Sequence, residues 1–216
     1  MPLATFAPPT RAVQTPTLNR TQAASRLGIN SPAFDKMIRA GMLFPPYRAD
    51  KIAELSKREH LRVKSGELTV LRADARAESD PALYPGEDRR WIGFHVEHTD
   101  EELEAASLRW WQCRPARVID NELLVVTIAT FPVALYRITG QRGEPLYRPG
   151  EAKPRHGFTG QLLARVTHGM EVRRYREITP GHLENPVKQI MDSRIVVTSG
   201  GPIGYLEPEA VGRSVS

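Results

Sequence analysis

Apolar residues in the first third of the chain recur at helical spacing in two short, consecutive segments. In the first segment, Ala23, Ala24 and Leu27 share one face of a helix. Asn19 is suited to cap the start of that helix, because the glutamine three residues later completes a capping box. Gly28 tolerates the positive φ of a sharp turn. The pattern therefore predicts a short helix that ends at a tight turn.

The second segment repeats this organisation. Asn30 is a favourable helix cap, and Pro32 fits the first helical turn. Phe34, Met37 and Ile38 form the inward stripe of a helix that ends near the next glycine. The opposite face carries polar or small side chains: Ser31, Ala33, Asp35, Lys36 and Arg39. The two segments together predict a compact helical pair with a polar outer surface.

This pair resembles the helix-turn-helix of the excisionase and mercury-resistance-regulator group. Alanines on the first helix, a glycine at the turn and a G-x-L closure recur in that group, and here they are Ala23, Ala24, Gly28 and Gly41-Met42-Leu43. The likeness covers residues 18–60. It continues through Tyr47-Arg48 and a capping Asp50 into a third helix with inward Ile52 and Leu55. The resemblance implies that the second helix enters a DNA major groove.

Two features depart from that family pattern. Pro32 stands where these families often place a polar side chain, and the chain from Leu43 to Asp50 is too short for a full two-stranded wing. On the resemblance, the DNA contacts expected in this part of the chain are Arg20, Asn30, Ser31, Pro32, Ala33, Asp35, Lys36, Arg39 and Arg48.

Beyond residue 66 the apolar pattern changes to short β-rich runs. The stretch LRVKSGELTVLR alternates around Ser65-Gly66, which predicts a hairpin, and a polar linker with several prolines follows it. Thr99 caps an amphipathic helix with Leu103, Ala106 and Trp110 inside, and Asn185-Pro186 opens a short helix. The predicted strands are WIGFHV, LLVVTIA, FPVALYRIT, FTGQLLARV, the residues around EVRRYREI, and RIVVTSGG.

These elements predict an α+β protein with an N-terminal helix-turn-helix domain. The C-terminal domain is expected to contain a strongly bent sheet or small β-barrel with two short helices. Its order of strand, helix and several strands is similar in layout to the pseudouridine-synthase-and-archaeosine-transglycosylase barrel group. The predicted boundaries are a disordered arm at 1–17, the helix-turn-helix at 18–66, the α+β domain at 67–208 and a flexible tail at 209–216.

The charge distribution favours a polyanionic partner for the first part of the chain. Residues 1–66 contain 11 Lys and Arg against 4 Asp and Glu, and the remaining residues contain 19 against 21. The net charge of +5 therefore arises from the predicted helix-turn-helix. Arginine-rich composition also follows from GC-rich coding DNA, so charge supports the argument only together with the helical pattern.

A second group of cations lies in the stretch YRITGQRGEPLYRPGEAKPRHGFTG, which its glycines and prolines predict to be a loop. Guanidinium groups on such a loop can approach a phosphate backbone or a guanine edge. The alternative is an ordinary solvated loop. The DNA contacts expected in this part of the chain are Arg137, Arg142, Arg148, Lys153, Arg155 and the nearby Arg173.

Signatures of enzymes and cofactor sites are missing from the sequence. It has no P-loop, dinucleotide fingerprint, G-x-S-x-G elbow or H-E-x-x-H helix. His95 and His98 would lie on opposite faces of a strand, which argues against a metal site. SGGPIG at 199–204 lacks the lysine and helix of a phosphate loop. We therefore predict no catalytic activity, no metal and no cofactor.

Other residues have structural interpretations. The single cysteine, Cys113, cannot form an internal disulfide and is expected to be a small core side chain. Trp110 and Trp111 could stack on a base, although the end of an amphipathic helix favours packing. No apolar run is long enough to span a bilayer and no signal peptide is evident. We expect a cytoplasmic protein of a bacterium or of a phage within its host.

The sequence thus predicts a repressor that binds specific sites in double-stranded DNA. The whole-chain layout resembles immunity repressors of temperate phages that infect actinobacteria, which implies that a single copy binds an asymmetric site. Two alternatives stay open. One is a host regulator that senses a small molecule in a pocket around Trp110, Trp111 and Phe131, and the other is a recombination accessory protein of the excisionase type.

Overall fold

The computed structural model describes residues 15–84, 87–198 and 200–208. The disorder expected at 1–14 and the flexible tail expected at 209–216 lie outside the described residues. Thr17, the last residue of the arm expected at 1–17, belongs to a short strand.

Six α-helices and ten strands occur in these three ranges. The helices are α1 (Arg20–Leu27), α2 (Ser31–Arg39), α3 (Ala49–Ser56), α4 (Asp100–Leu108), α5 (Pro115–Asp120) and α6 (Glu184–Met191). The strands are β1 (Thr17–Leu18), β2 (Tyr47–Arg48), β3 (Leu68–Arg72), β4 (Ala77–Glu78), β5 (Trp91–Ile92), β6 (Leu123–Ile128), β7 (Phe131–Leu146), β8 (Arg155–Val166), β9 (Val172–Arg174) and β10 (Ile203–Leu206).

Six of the strands form one mixed sheet in the order β10-β3-β6-β7-β8-β9. The pair β3 and β6 is parallel, and the other neighbours are antiparallel. The sheet has two free edges, β10 and β9, and does not close. The expectation of a small barrel was therefore wrong, while the mixed composition of helices and strands is confirmed.

The helix ends follow local chemistry. Asn19 and Thr99 each cap a helix through a complete capping box, and Gly28 adopts the left-handed conformation at φ 64° after α1. Asn30 accepts from the backbone of Ala33 at the start of α2. Asp50 does not cap the third helix as expected, because α3 begins one residue earlier and the Asp50 carboxylate binds Arg48.

Three predicted strands are placed differently in the structure. Residues 61–64 form no hairpin with β3, because β3 is a central strand between β10 and β6 and Leu61 bonds to Arg194 instead. WIGFHV is a strand only at 91–92, since Gly93 turns the chain at φ 75°. The described residues of RIVVTSGG, 194–198 and 200–201, belong to none of the strands of the sheet, and the last strand is β10. Helix α5, which begins at Pro115, was not predicted.

The predicted cationic loop is largely a β-ribbon. The pairing of β7 with β8 continues to Leu146 and Arg155, whereas β6 pairs with β7 only as far as Arg137. Among the described residues the outer part of this hairpin therefore has no neighbouring strand, although His156 of β8 exchanges backbone hydrogen bonds with Trp111. Irregularities in the register near residues 139 and 143–145 accommodate the glycines and proline that indicated a loop. We call residues 137–161 the β-ribbon, which begins at the last residue of β7 that pairs with β6.

The helices α1 to α3 pack against the sheet rather than standing apart from it. Their buried side chains belong to the same hydrophobic cluster as those of the sheet. At the end of α2, Val96 N donates to Ala40 O at 3.0 Å. Gly41 allows this contact, because a Cβ there would lie 2.7 Å from Val96 Cγ2 and its φ is +70°.

No helix in the three described ranges is long and apolar enough to cross a membrane.

Candidate nucleic-acid interface

The pair α1 and α2 is built on a small, fully buried core. Ala23, Leu27, Phe34 and Met37 are each at most 1% exposed. The ring of Phe34 meets that of Tyr47 edge-on, with 5.2 Å between the centroids. These contacts fix the angle between the two helices and turn the polar face of α2 away from the core.

The charged side chains of α2 are bound by partners on either side of it. Arg20 of α1 forms an ion pair with Asp35. On the other side, the carboxylate of Asp74 lies 3.0 Å from Lys36 Nζ and 3.3 Å from the Arg39 guanidinium. All of these side chains are at least one third exposed. The predicted contact residues of α2 therefore lie together at the surface, with two of the cations bridged by one acid.

Arg48, a further predicted contact, lies just before α3. Its guanidinium binds the Asp50 carboxylate at 2.6 Å, and both side chains are more than half exposed. The pair raises the pKa of the arginine through the hydrogen bond and the charge of Asp50. Arg48 is therefore a surface cation beside the helical pair.

A groove of about 620 Å³ separates α2 from the ends of the strands β3 and β6. Ala33 and Lys36 lie on the α2 side. The opposite side includes Arg72 at the end of β3, Thr130 in the β6–β7 turn, and Pro202 before β10. We call this space the α2 groove. Part of the SGGPIG segment borders it through Gly201 and Pro202, whereas Ser199 lies outside the described residues.

Arg194 joins the turn of the helical pair to the wall of the α2 groove. Its guanidinium donates to Leu27 O at 2.8 Å and to Thr130 Oγ1 at 3.1 Å. It also lies over the ring of Phe131, 5.0 Å from the centroid. A cation near the last carbonyls of α1 is favourable for the helix dipole. Sequence analysis missed this residue, because Leu27 and Arg194 are joined only in the folded chain.

The cations predicted near the second half of the chain divide into two groups. Arg148 and Arg155 both bind Glu151, and Arg148 also lies over the Tyr84 ring, so these two stabilise the tip of the β-ribbon. Arg142 and Lys153 form no ion pair within the described residues. Arg137 is half-buried on β7, and Arg173 is exposed over the Tyr175 ring.

The register of the β-ribbon places two of these arginines on one face. Arg137 lies opposite Gln161 and Arg142 lies opposite Gly157. Residues 157 to 161 of β8 pair without interruption, so positions 157 and 161 share a face. The irregularity near residue 139 of β7 compensates for the odd spacing of the two arginines, which a sequence reading cannot reveal.

A second groove, of about 410 Å³, borders the β-ribbon near its tip. Arg114, Lys153 and His156 line it together with Tyr205 of β10. Cys113 also lines it, and burial raises the pKa of that thiol to about 11. We call this space the ribbon groove. Arg114 was not among the predicted contacts, because it precedes the helix that the sequence analysis missed.

Trp110 and Trp111 are bound to the protein rather than available for stacking. The Trp110 indole donates to Glu87, and its ring covers Gly157, where a Cβ would lie 2.9 Å away. Trp111 donates to Ser107 O at 2.7 Å and exchanges backbone hydrogen bonds with His156. Phe131 is fully buried. These three residues do not line either of the grooves described above.

His95 and His98 lie in a turn and not, as expected, on a strand. Their ring centroids are 6.4 Å apart. His98 is 3% exposed, and neither of its ring nitrogens has a hydrogen-bond partner in the part of the chain that the structure describes. Burial lowers its pKa to about 4. No cluster of three or more metal-ligating side chains occurs in residues 15–84, 87–198 and 200–208.

Comparison with known proteins gave no match to a protein-family model, to a curated protein or to a solved structure.

Proposed function

We propose that the protein is a sequence-specific regulator that binds double-stranded DNA and acts as a transcriptional repressor. The observation that carries the proposal is the pair α1 and α2: two capped helices joined at a left-handed glycine, with a polar, cationic outer face on the second. Helix α2 has nine residues, and an α-helix with its side chains is about 10 to 12 Å across, which a B-DNA major groove about 12 Å wide admits.

The arrangement of side chains on α2 supports this assignment. With about 3.6 residues per turn, Pro32 and Arg39 occupy the outermost line of the helix. Lys36 lies on the flank beside the α2 groove, and Asp35 lies on the other flank beside Arg20. We propose that Arg39 reads base edges and that Lys36, Arg20 and Arg48 contact phosphates on the flanks of the helix.

The second half of the chain would extend the contact along the duplex. A two-stranded ribbon is one of the elements that a major groove admits. Arg137 and Arg142 on one face of the β-ribbon, with Lys153 near its tip and Arg173 on β9, are the proposed contacts there. Two DNA-contacting elements in one chain would allow a single copy to bind an asymmetric site, as the resemblance to phage immunity repressors implies.

Removing both cations of α2 tests the proposal. The double variant Lys36→Ala, Arg39→Ala should lose about 1 to 3 kcal/mol of specific binding free energy for each base contact removed. Footprinting on genomic DNA fragments would first identify a site, and titration of that site and of an unrelated duplex would give the specific and the non-specific affinity.

The control variant Arg176→Ala, Lys188→Ala removes the same two charges at exposed positions outside α2. It should reduce both affinities slightly and leave their ratio unchanged. If the α2 variant retains the wild-type ratio, α2 does not read bases and the proposal fails. Transcription from a promoter that contains the footprinted site distinguishes a repressor, which reduces it, from a recombination accessory protein, which does not.

A further inference from the structure

The α2 groove has walls of suitable chemistry for a phosphodiester strand. Lys36 extends along the α2 side, and Arg72 lies on the opposite side. Arg72 is exposed, and its guanidinium donates to Gly201 O, which orients it along the rim of the groove. Two cations on facing walls with an open space between them match the charge of a phosphate that lies in that space.

The remaining lining is suited to the sugar that accompanies each phosphate. Ala33, Val196 and Pro202 provide apolar surface, and Val196 is 55% exposed although it is a large aliphatic residue. Thr127 and Thr130 add hydroxyl groups. Cations beside apolar surface and hydroxyl groups match the charged phosphates and the less polar deoxyriboses of a strand.

The wall of the α2 groove opposite α2 contains two residues in an energetically unfavourable backbone conformation. Ala129 and Thr130 form the tight turn between β6 and β7 with φ of 50° and 78°. Such turns favour Asn-Gly, and a β-branched residue at positive φ is an outlier. Two nitrogens of Arg194 bind Thr130 Oγ1 at 3.1 Å, and Ile195 N donates to Thr130 O at 2.7 Å. The wall is therefore fixed before any ligand arrives, and residues held in this way concentrate at binding sites.

The groove also lies where a DNA strand would run. A helix in a major groove has a sugar-phosphate strand on each of its flanks. One flank of α2 faces Arg20, and the other, with Ala33 and Lys36, faces the α2 groove. We infer that the α2 groove binds the phosphodiester strand that borders the major groove entered by α2, with Arg72 as a phosphate contact opposite Lys36. This inference rests on the proposed function.

Charge substitutions at the exposed Val196 test the inference with little risk to the fold. Val196→Glu introduces a carboxylate into the groove and should weaken binding to the footprinted site at least about tenfold at 0.1 M salt, whereas Val196→Gln should stay within about twofold of wild type. Val196→Lys should strengthen binding and steepen the log-log salt slope by about one unit, because one more phosphate is neutralised. Arg72→Gln should flatten the slope by a similar amount.

A matched pair at another exposed aliphatic residue controls for net charge. Ile178 is 41% exposed and does not line the groove, so Ile178→Glu and Ile178→Gln should differ from each other by less than the Val196 pair. Circular dichroism and the unfolding midpoint identify any variant that is not folded. Equal affinities and salt slopes for wild type and all the Val196 and Arg72 variants would overturn the inference.

Arg39→Ala separates this inference from the function on which it rests, since Arg39 lies on α2 but does not line the groove. If Arg39→Ala reduces specific binding while the groove variants have no effect, the function stands and the groove assignment fails. If neither Arg39→Ala nor the groove variants change binding to the footprinted site, the proposed DNA-binding function fails. Titration with AMP tests a free phosphorylated ligand: AMP binding that Val196→Glu abolishes, with duplex binding unchanged, would also overturn the assignment to DNA.

Discussion

Asp74 neutralises part of the positive charge that the side chains of α2 present at the surface. Its carboxylate contacts Lys36 at 3.0 Å and Arg39 at 3.3 Å. Partial burial alone would raise the pKa of Asp74, but the hydrogen bonds from Lys36 and Ala75 N and the two positive charges lower it below its usual value. The acid is therefore ionised at neutral pH and, under the proposed function, would compete with DNA for both cations.

We predict that Asp74→Asn binds DNA more tightly than wild type. Exposed ion pairs contribute about 0.2 to 1 kcal/mol, so the release of Lys36 and Arg39 should increase affinity by up to about fivefold. The stability of the variant should fall by no more than about 1 kcal/mol. Fluorescence anisotropy with labelled duplex measures the first effect, and urea unfolding measures the second.

Glu101→Gln is the control for this prediction, because it removes one negative charge from an exposed position on α4. It should change affinity less than Asp74→Asn does. An Asp74→Asn variant that is folded and binds DNA no better than wild type would show that the ion pairs do not oppose binding.

Residues whose role depends on near neighbours were predicted well. The caps Asn19, Asn30 and Thr99 each accept from a backbone amide three residues away, so the sequence window contains both partners. Arg194 and Asp74 could not be assigned in this way. Their partners lie up to 167 residues away along the chain, and only the folded structure joins them.

At the scale of elements, the turn at 95–98 joins the end of α2 to the sheet. Val96 N donates to Ala40 O, and Gly41 lies against Val96 and His95. The buried guanidinium of Arg165 on β8 donates to Val96 O at 2.9 Å and to His98 O at 2.7 Å. The orientation of α2 against the sheet therefore depends on this turn remaining folded.

His98 should make this turn sensitive to acid. Burial, reinforced by the positive charges of Arg76 and Arg165 and opposed by Glu102, lowers its pKa from 6.5 to about 4. The folded protein thus keeps His98 neutral, while the unfolded chain takes up a proton as pH falls below 6.5. The free energy of unfolding should decrease between pH 6.5 and pH 4, by on the order of 2 to 3 kcal/mol in total. Urea unfolding at several pH values measures this loss.

The variant His98→Phe isolates the effect, because it fills the same space and cannot be protonated. Its stability should change less than that of wild type between pH 6.5 and 4, whereas His182→Gln, at an exposed position, should follow wild type. Carboxylates such as Asp100 titrate in all three proteins. The difference between the stability curves of wild type and His98→Phe therefore reports the protonation of His98. Parallel curves for wild type and His98→Phe would contradict the prediction.

The extent of β7 and β8 shows why some elements could not be predicted. Glycines and prolines between residues 140 and 157 are typical of loops, and they indicated one here. In the structure the two strands continue through this stretch because their backbones pair with each other across irregular registers. Such pairing is a property of two distant segments, and neither segment displays it in its own pattern.

At the scale of the whole molecule, the two grooves lie on either side of one short segment. Gly201 and Pro202 border the α2 groove, and Ile203 and Tyr205 border the ribbon groove. The fold class could be predicted from the sequence, but this juxtaposition could not, because it depends on the placement of β10 at the edge of the sheet. Under the proposed function, a duplex bound by α2 could therefore continue past β10 toward the cations near the tip of the β-ribbon.

The last prediction concerns that continuation. Arg114 and Lys153 are exposed cations of the ribbon groove. The variant Arg114→Ala, Lys153→Ala should flatten the log-log salt slope by about two units, since each phosphate contact contributes about 0.9. It should also shorten the footprint on one side and leave the base preference of α2 unchanged, because phosphate contacts position a protein without reading sequence.

The Arg176→Ala, Lys188→Ala variant controls for the loss of one arginine and one lysine. The mass of the complex must be measured with the footprint, because a second bound copy would lengthen the protected site without any contact from the ribbon groove. A single bound copy whose slope and footprint are the same in both double variants would exclude the ribbon groove from the DNA interface.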